Sequence, residues 1–509
     1  MKKLLLFLSF VSTGFITMSQ NITVSDSIKT NTVWEADTVF VDTCIVIADD
    51  VSLAIDPGVV VAFDSAACLK VNGTLIAAGT EDNHIIFTSV DTTGYGNLDH
   101  DGWSGIYFDN TGGSMTDNQA SIIDYSEFYY SRNTMYEQGV VSVLDFSNLT
   151  VSNSLFKYNY AYTCINLADS SEVKIINNVF DGNTTTVGAI SLGCSTDGQQ
   201  ATPLIKNNLV MNNTGEWCAG IKISGYFTPV VDGNKIFAND CSDGDAGGLM
   251  VSGYSNPVIV NNVIAYNHAE NGGGVFVKYF TNPVFVNNVI AYNTADENGG
   301  GIANGCSTDS VLYINNIIYG NTAVNGNQMY INDDDCSLYK FYYNDIEGGL
   351  DDVYFEDDNT VEFGTGNIDE DPMFVDAVNF DFSLDCNSGC IDAGKDTTDY
   401  MPEFDILGNN RNEGITDMGA YEMQCNSFVD KYVSDNVISV SPNPSSGYLI
   451  ISNAGGFDLK ITDLTGKTVL KDKIVRDIYE INIENNKSGI YFLHFSDGNN
   501  EYSKKLILK

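Results

Sequence analysis

The stretch that decides the fold is VNNVIAYN, which occupies residues 260–267 and recurs unchanged at residues 286–293. Each copy is followed by a glycine run and a short apolar stretch, GGGVFV at 272–277 and GGGIAN at 299–304. Short runs of Val, Ile, Tyr or Phe between Gly, Asn and Pro are typical of strands joined by tight turns. The pattern therefore predicts a stack of similar β-strand units.

The Asn that ends this unit recurs along much of the chain. Successive copies lie 24 to 30 residues apart and include weaker versions such as SNSLFKYN at 152–159 and INNIIYGN at 314–321. The column consists of Asn159, Asn183, Asn213, Asn239, Asn267, Asn293 and Asn321. A second column places a small residue before Ile190, Ile221, Leu249, Val275 and Ile302. A regular period of this length indicates a solenoid.

The period and the composition together select the type of solenoid. Leucine-rich repeats need Leu at fixed positions, whereas these units are rich in Val, Ile and Asn. Propeller blades need roughly 40 residues, and helical repeats need longer apolar faces. We therefore predict an all-β right-handed parallel β-helix of about a dozen coils. The hand follows from the strong preference of parallel crossovers for the right-handed sense.

The Asn column has a structural explanation. Stacked coils lie about 4.8 Å apart, so each Asn faces its copies in the neighbouring coils. A side-chain amide both donates and accepts, and the column can therefore hydrogen-bond along the solenoid axis. Asn also tolerates the left-handed backbone of tight turns. We predict that these residues stabilise the turns and do not form a catalytic row.

Both ends of the repeat region resemble secreted bacterial proteins. VSLAIDPGVVVAF (51–63), GTLIAAGTEDNHIIFTS (73–89) and GWSGIYF (102–108) resemble the opening coils of right-handed, pectin-lyase-like β-helix proteins. The motif SGCIDAG and the later motifs D-x-x-G-x-x-R and D-x-GAYE resemble the closing segment of many β-helix proteins of the Bacteroidetes. Arg411 is the Arg of the D-x-x-G-x-x-R motif and is one of three Arg in the chain. We predict a structural ion pair for it.

The N-terminus predicts export. Lys2 and Lys3 precede a short apolar run and then small residues, which is the pattern of a secretory signal peptide. The run is too short to span a bilayer, and no later segment is long enough to do so. We therefore expect no transmembrane segment in the mature protein.

The C-terminal residues resemble a type IX secretion (type A) sorting domain. The resemblance rests on SPNP at 441–444, DLTG at 463–466, SGIY at 488–491 and the basic pair Lys504–Lys505. It implies a small β-sandwich, contact with the type IX secretion machinery, and a secreted or cell-surface location. The expected segments are a signal peptide at 1–20, a β-helix at 21–363, a closing or cap segment at 364–424, a linker at 425–436 and the sorting domain at 437–509.

The formal net charge is −43, and the acidic excess lies outside the sorting domain. The chain has no basic stripe to neutralise phosphates, which argues against nucleic acid as a partner. Carboxylates are the ligands that calcium prefers, whereas no Cys and His spacing suits structural zinc. The alternative is a solvated acidic surface that keeps a secreted protein soluble. The candidate calcium ligands are Asp333, Asp334, Asp335, Asp369 and Asp371.

Eleven Cys, an odd number, occur in a protein bound for a disulfide-permitting compartment. Cys44 and Cys68 each precede a β-like triplet and are 24 residues apart, so they would face each other in adjacent coils. Cys306 and Cys336 can be related in the same way. Cys386 and Cys390 are close enough in sequence to close a small loop.

Two functions remain open for the exported part. The first is a non-enzymatic adhesin or glycan-binding surface protein, because the paired Gly and Asn columns resemble those of β-helical autotransporter-type adhesins. Exposed rings among Tyr266, Tyr279, Phe280 and Tyr292 would then stack on the sugars of an extracellular polysaccharide or cell-surface glycan. The second is a calcium-dependent polysaccharide lyase or another carbohydrate-active enzyme that acts on extracellular polysaccharide. A lyase needs a base. The candidate bases are Arg132, Lys157, Lys174, Lys206, Lys222, Lys235 and Lys278.

Overall fold

The chain divides into two compact units, Met1–Gln424 and Cys425–Lys509. The structure is a computed structural model. It describes residues 21–93, 102–109, 120–133, 138–144, 148–168, 173–193, 202–305, 310–332, 338–356, 360–396, 400–411, 414–425, 438–443, 445, 447–463, 467–476, 478–487, 489–497 and 501–509. The predicted signal peptide and most of the predicted linker lie outside these residues, as do Cys306 and Cys336.

The first unit is a parallel β-solenoid, as the repeat predicts. Each coil contributes one strand to each of three long parallel sheets, which contain 13, 12 and 13 described strands. Sheet 1 consists of Asn21–Val24, Thr38–Val41, Val60–Phe63, Ile85–Ser89, Ser126–Tyr129, Leu155–Lys157, Val179–Asp181, Leu209–Met211, Lys235–Phe237, Val263–Ala265, Val289–Ala291, Ile317–Tyr319 and Asp345–Ile346.

Sheet 2 follows sheet 1 around each coil, and sheet 3 follows sheet 2. Sheet 2 consists of Ile45–Ile47, Cys68–Val71, Gly105–Asp109, Gly139–Leu144, Thr163–Ala168, Ile190–Gly193, Ile221–Ile223, Leu249–Val251, Val275–Val277, Ile302–Asn304, Met329–Ile331 and Val353–Phe355. Sheet 3 consists of Thr32–Trp34, Ser52–Ile55, Thr74–Ala78, Ser121–Asp124, Leu149–Ser152, Val173–Ile176, Leu204–Lys206, Val230–Asp232, Val258–Val260, Val284–Val286, Ser310–Ile314, Leu338–Tyr342 and Thr360–Phe363.

A shorter parallel sheet lies between sheets 1 and 2 in the middle coils. Sheet 4 consists of Arg132–Asn133, Tyr160–Ala161, Thr184–Thr185, Thr214–Gly215, Asp240–Asp245, His268–Asn271 and Thr294–Asn298. Its strands differ in length from coil to coil, with register shifts at Asp240–Asp245 and at His268–Asn271. Sheet 4 is therefore the least regular wall of the solenoid.

The interior of the solenoid is filled by equivalent side chains stacked in columns. Phe87, Phe128, Phe156 and Phe180 form one continuous ring stack, with centroids 4.8, 4.5 and 4.8 Å apart. Offset stacking at such distances stabilises beyond the area that it buries. In later coils Ile264 and Ile290 occupy the equivalent positions and are also fully buried. The repeat thus maintains one continuous core.

The predicted Asn column is confirmed as a buried hydrogen-bond ladder. Asn267 Nδ2 donates to Asn293 Oδ1 over 3.0 Å, and Asn239 Nδ2 donates to Asn267 Oδ1 over 2.9 Å. Each backbone N–H in the column also donates to the Oδ1 of the next coil, as in Asn267 to Asn293 at 3.0 Å. The ladder ends at Gln328, which accepts from Asn321. These Asn side chains are buried, which supports their structural role.

A second ladder stands at the corner between sheets 3 and 1. Five of its eight members are the second Asn of an Asn-Asn pair, and Asn262 Nδ2, for example, donates to Asn288 Oδ1 over 3.0 Å. The members are Asn178, Asn208, Asn234, Asn262, Asn288, Asn316, Asn344 and Asn367. The residue before each ladder Asn adopts left-handed backbone, with φ of 56° at Asn261 and 53° at Asn287. The repeated dipeptide therefore supplies one turn residue and one ladder residue.

The closing segment packs on the side of the solenoid. A hairpin of Phe374–Asp376 and Asp381–Leu384 places Phe380 on Phe237 with ring centroids 4.8 Å apart. Phe382 lies 6.1 Å from Tyr266 on the same outer face of sheet 1. Short 3₁₀ turns occupy Gly349–Asp352 and Ala377–Asn379. The segment that we expected to cap the solenoid thus covers the outer face of its later coils.

The turn Asn residues hold the closing segment in place. Asn261 Nδ2 donates to Phe404 O, Asn287 Nδ2 to Asp417 O and Asn315 Nδ2 to Lys395 O, over 2.8, 2.8 and 3.2 Å. These are consecutive copies of the first Asn in the Asn-Asn pair. The repeat therefore presents a row of amides that matches the backbone of the later segment.

Arg411 forms the predicted structural ion pair. It lies 3.0 Å from Glu422 Oε2, and their side chains are 0% and 8% exposed. Arg411 also donates to Asn261 Oδ1 and Gly419 O, over 3.0 and 2.9 Å. Burial raises the pKa of Glu422 to about 7, although a backbone hydrogen bond and Arg411 oppose the shift. Arg411 therefore fastens the closing segment to a solenoid corner.

The cysteines follow the prediction in part. Cys44 and Cys68 form the disulfide that their spacing predicts. The proposed Cys386–Cys390 loop is wrong, because Cys386 is disulfide-bonded and Cys390 is a buried free thiol. The Cys390 thiol instead donates to Asp345 Oδ2 over 3.1 Å. This contact fixes the middle of the closing segment to the last sheet 1 strand.

The second unit is a small domain of antiparallel strands with its own core. One sheet consists of Ser439–Ser441, Tyr448–Ser452 and Ile478–Asn482, and the other of Thr468–Lys473, Asp458–Asp463, Gly489–Ser496 and Glu501–Leu508. Buried Leu449, Ile461 and Leu493 belong to this core. Neither unit has, among its described residues, a helix that is long and apolar enough to cross a bilayer.

Candidate groove on sheet 2

A groove of about 530 Å³ lies on the outer face of sheet 2 in the middle coils. Its floor contains Lys222 and Met250, which are register partners on consecutive strands. Phe276, the register partner of Met250 on the next strand, packs against Met250 beside the groove. The floor therefore combines one cationic and one apolar side chain. Stacked coils hold these side chains in fixed register.

One wall of the groove comes from sheet 4 and the turns that leave it. Glu216 and Trp217 stand in one coil, Asp243 to Asp245 in the next and Glu270 in a third. The strand Asp240–Asp245 carries extra residues relative to His268–Asn271, which produces the register shift. This extra length carries Asp243, an exposed residue, along the wall. Trp217 is 60% exposed and is the large aromatic of this wall.

The opposite wall follows the ends of the sheet 2 strands. It contains Ser224, Ser252, Lys278 and Tyr279, of which Tyr279 is 53% exposed. Beside it, three aromatic rings form an outer ladder: Tyr226 stacks on Tyr254, and Tyr254 on Phe280, each at 5.0 Å. We name this set the outer aromatic ladder. It presents ring faces and edges to solvent along the rim of the groove.

Lys278 is held tightly between the two walls. Its Nζ lies 2.7 Å from Asp245 Oδ2 and 4.8 and 5.3 Å from the ring centroids of Phe276 and Tyr279. Asn271 also donates to Asp245, over 3.3 Å. The ammonium is thus partly neutralised by one carboxylate and covered by two rings. Its main effect is to position Asp245 and Tyr279.

His268 lies on the same sheet 4 strand as Glu270 of the acidic wall. Its Nδ1 lies 3.0 Å from Asp240 Oδ1 and its Nε2 lies 3.2 Å from Asp296 Oδ1. Burial alone would lower the pKa of His268, but the hydrogen bonds and charges of both aspartates raise it above the usual value. Ser242 lies 3.3 Å from the same Nδ1. Protonated His268 therefore links three consecutive coils next to Asp243.

The predicted calcium ligands are only partly within the described residues. Asp333, Asp334 and Asp335 lie outside them. Asp369 accepts a hydrogen bond from the Gly348 N–H, and Asp371 accepts one from the Met373 N–H. Among the described residues no group of three or more His, Cys, Asp or Glu is arranged to hold a metal ion. The calcium site stays a prediction.

The aromatic residues singled out from the sequence separate into two sets. Tyr266 and Tyr292 contact the closing segment, where Phe382 lies 6.1 and 6.3 Å from their ring centroids. Tyr279 and Phe280, 53% and 47% exposed, stand at the groove and in the outer aromatic ladder. Of these four rings, only those of the second pair are exposed at or beside the groove.

The candidate bases are dispersed over the solenoid. Lys157 pairs with Asp181 and Lys206 with Asp232, at 2.6 and 2.5 Å, outside the groove. Of the candidate bases, only Lys222 and Lys278 line the groove. Sequence reasoning missed Trp217 and the acidic wall. The sequence does contain one indication of the acidic wall. The number of residues between the Asn column and the glycine column is largest in the coil that runs from Asn239 to Gly248.

Comparisons with known proteins agree with both units. A family model described as a right-handed β-helix region matches residues 15–241, and one described as a secretion system C-terminal sorting domain matches residues 439–509. The chain is a right-handed parallel β-helix protein with a C-terminal sorting domain of the type IX secretion system. It is therefore delivered to the cell surface or the medium, as the sequence predicted.

Other similarities are weak. No curated protein matches the chain. Among solved structures, a tailspike protein gp49 from Acinetobacter baumannii bacteriophage Fri1, a capsular polysaccharide depolymerase, aligns at 9% identity with a TM-score of 0.22. The alignment covers 93% of this chain and 73% of the tailspike chain. At this TM-score it does not bear on the function of the present protein.

Proposed function

We propose that the protein is a non-enzymatic surface protein that binds glycans in the groove on sheet 2. The observation that carries the proposal is the pair of exposed rings, Trp217 and Tyr279, on opposite walls of one groove. Sugar rings present apolar faces that pack on aromatic side chains, while their hydroxyls need polar partners at the edges. Ser224, Ser252 and the wall carboxylates supply such partners.

The scaffold supports this function. A site built on strands in fixed register stays organised without its ligand, so little conformational entropy is lost on binding. The outer aromatic ladder continues the ring surface over three coils beside the groove. A long-chain glycan can therefore contact several coils at once, which suits an adhesin exposed by type IX secretion.

The test is glycan-array binding by the full chain and by two variants. Trp217→Ala should lower the affinity for every bound glycan about fivefold or more, if a sugar stacked on one aromatic contributes about the 1–3 kcal/mol that a stacked nucleobase does. Tyr354→Ala is the matched control: Tyr354 is an exposed sheet 2 aromatic outside the groove, and its loss should leave binding unchanged. Binding that survives Trp217→Ala would contradict this location of the site.

A second candidate function, a polysaccharide lyase, is favoured by one feature of the same groove. Four carboxylates line it together with Lys222 and Lys278, and a lyase needs both a cation site and a base. Incubation with uronate polysaccharides and calcium should then release unsaturated products that absorb in the ultraviolet. Lys222→Met should abolish that absorbance, and no absorbance from the unaltered chain would exclude this candidate.

A further inference from the structure

We propose that the groove selects glycans that carry free amino groups over neutral or uronate-bearing ones. This inference rests on the proposed glycan-binding function and adds the chemical class of the ligand. Its basis is the balance of charge among the groove residues, together with the placement of those charges beside exposed rings.

The groove has more negative than positive charge. Glu216, Asp243, Asp245 and Glu270 line it, against Lys222 and Lys278. Asp245 and Lys278 neutralise each other over 2.7 Å. Glu216, Asp243 and Glu270 then remain against Lys222, three carboxylates against one ammonium. None of the three carboxylates forms an ion pair with a cationic side chain within the described residues. A bound ligand would therefore meet an excess of negative charge, with the carboxylates on one wall.

The same wall carries the ring surface on which a sugar would stack. Glu216 precedes Trp217 in sequence, and both side chains are exposed at the groove. A pyranose stacked on Trp217 would bring its substituents near these carboxylates. An ammonium substituent can then make charge-assisted hydrogen bonds, whereas a carboxylate substituent would be repelled.

The field of the whole molecule acts in the same direction. A net charge of −43 concentrates cationic ligands near the surface and repels polyanions. This long-range effect does not locate the site, because any acidic surface contributes to it. A test must therefore separate the charges in the groove from the charges elsewhere.

The experiment is isothermal titration of the full chain with three oligosaccharides of equal length: chitosan, fully N-acetylated chitin and oligogalacturonate. We expect the tightest binding for chitosan and the weakest for oligogalacturonate, with a chitosan affinity that falls as salt is added. Equal affinity for chitosan and chitin, or tighter binding of oligogalacturonate, overturns the charge selection. A lack of binding to all three, with Trp217→Ala also without effect on the array, overturns the glycan-binding function itself.

Two triple variants with the same change in net charge locate the effect. Glu216→Gln, Asp243→Asn and Glu270→Gln together should weaken chitosan binding roughly fivefold and leave chitin unchanged, since each charge that water reaches contributes only modestly. The control replaces Asp49→Asn, Glu81→Gln and Asp82→Asn, which are exposed residues in early coils. The control should change chitosan affinity less than twofold. An equal loss in both triple variants overturns selection by the groove.

Discussion

At Asn267 a single side chain connects three coils. Its Oδ1 accepts from the backbone N–H and the Nδ2 of Asn239, while its own Nδ2 donates to Asn293 Oδ1 and Ile236 O. All of these groups are buried, and a buried donor or acceptor that loses its partner costs more than an average hydrogen bond contributes. The stability of the coils from Asn159 to Asn321 therefore depends in part on Asn at this position.

Replacing Asn267 with Ala should lower the free energy of unfolding by about 3 kcal/mol, since two donors of Asn239 lose their acceptor. Urea denaturation followed by circular dichroism measures the change. Asn72→Ala is the control, because Asn72 is exposed in an early turn and its replacement should cost less than about 0.5 kcal/mol. A similar cost for both variants would show that the ladder is not the source of stability.

The bridge from Asp240 through His268 to Asp296 makes stability depend on pH. The folded pKa of His268 is raised above its ordinary 6.5, so folding favours the protonated ring. Its contribution is full below the unfolded pKa and is lost as the pH rises through the folded pKa. The melting temperature of the unaltered chain should therefore exceed that of His268→Gln at pH 5.5 or so, and the difference should shrink by about pH 8. A difference that grows with pH would contradict the bridge.

Some features of the strands and turns could be predicted from the sequence, and others could not. The Asn and glycine columns predict the solenoid and the ladder, and the 24-residue spacing of Cys44 and Cys68 predicts their disulfide, because stacking turns sequence period into spatial contact. The second ladder and the docking role of Asn261, Asn287 and Asn315 were not predicted. Both depend on which Asn of the pair takes left-handed backbone, and adjacent identical residues do not reveal it.

The glycine column allows close packing of the coils beside the Asn ladder. A Cβ on Gly274 would lie 2.6 Å from Gly301 O and 2.8 Å from Asn293 Nδ2. Gly274→Ala should therefore destabilise the solenoid by about 1–3 kcal/mol. Gly305→Ala is the matched control, because a Cβ there meets side chains at an ordinary 3.6 Å. Equal melting temperatures for the two variants would contradict the packing role of the column.

The closing segment should detach when its central ion pair is broken. Arg411→Ala leaves Glu422 buried without a counter-ion and should cost about 3–5 kcal/mol locally. Hydrogen exchange should then increase across residues 400–425 while the ladder amides of earlier coils stay protected. Arg476→Ala removes an exposed Arg of the second unit and should have no such effect. Uniform loss of protection along the solenoid would indicate that the segment and the coils unfold together.

For the whole molecule, export and fold were predictable from the sequence, whereas the proposed binding site was not. The SPNP motif and Lys504–Lys505 predicted the sorting domain because a short sequence motif can be read directly from the sequence. The groove depends on Trp217 and Asp243, which lie in the variable interval between two regular columns. The repeat pattern predicts only a turn in that interval. Binding residues nevertheless occur most often in such irregular segments on a rigid scaffold.

Trp217 offers the most direct measurement of the central claim. The chain has three Trp, of which Trp34 and Trp103 are 2% and 0% exposed and Trp217 is 60% exposed. Acrylamide should therefore quench mainly the fluorescence of Trp217. If a glycan occupies the groove, saturating it should sharply reduce the quenching constant of the unaltered chain and leave that of Trp217→Phe unchanged. Saturable glycan binding with unaltered quenching of Trp217 would contradict the account.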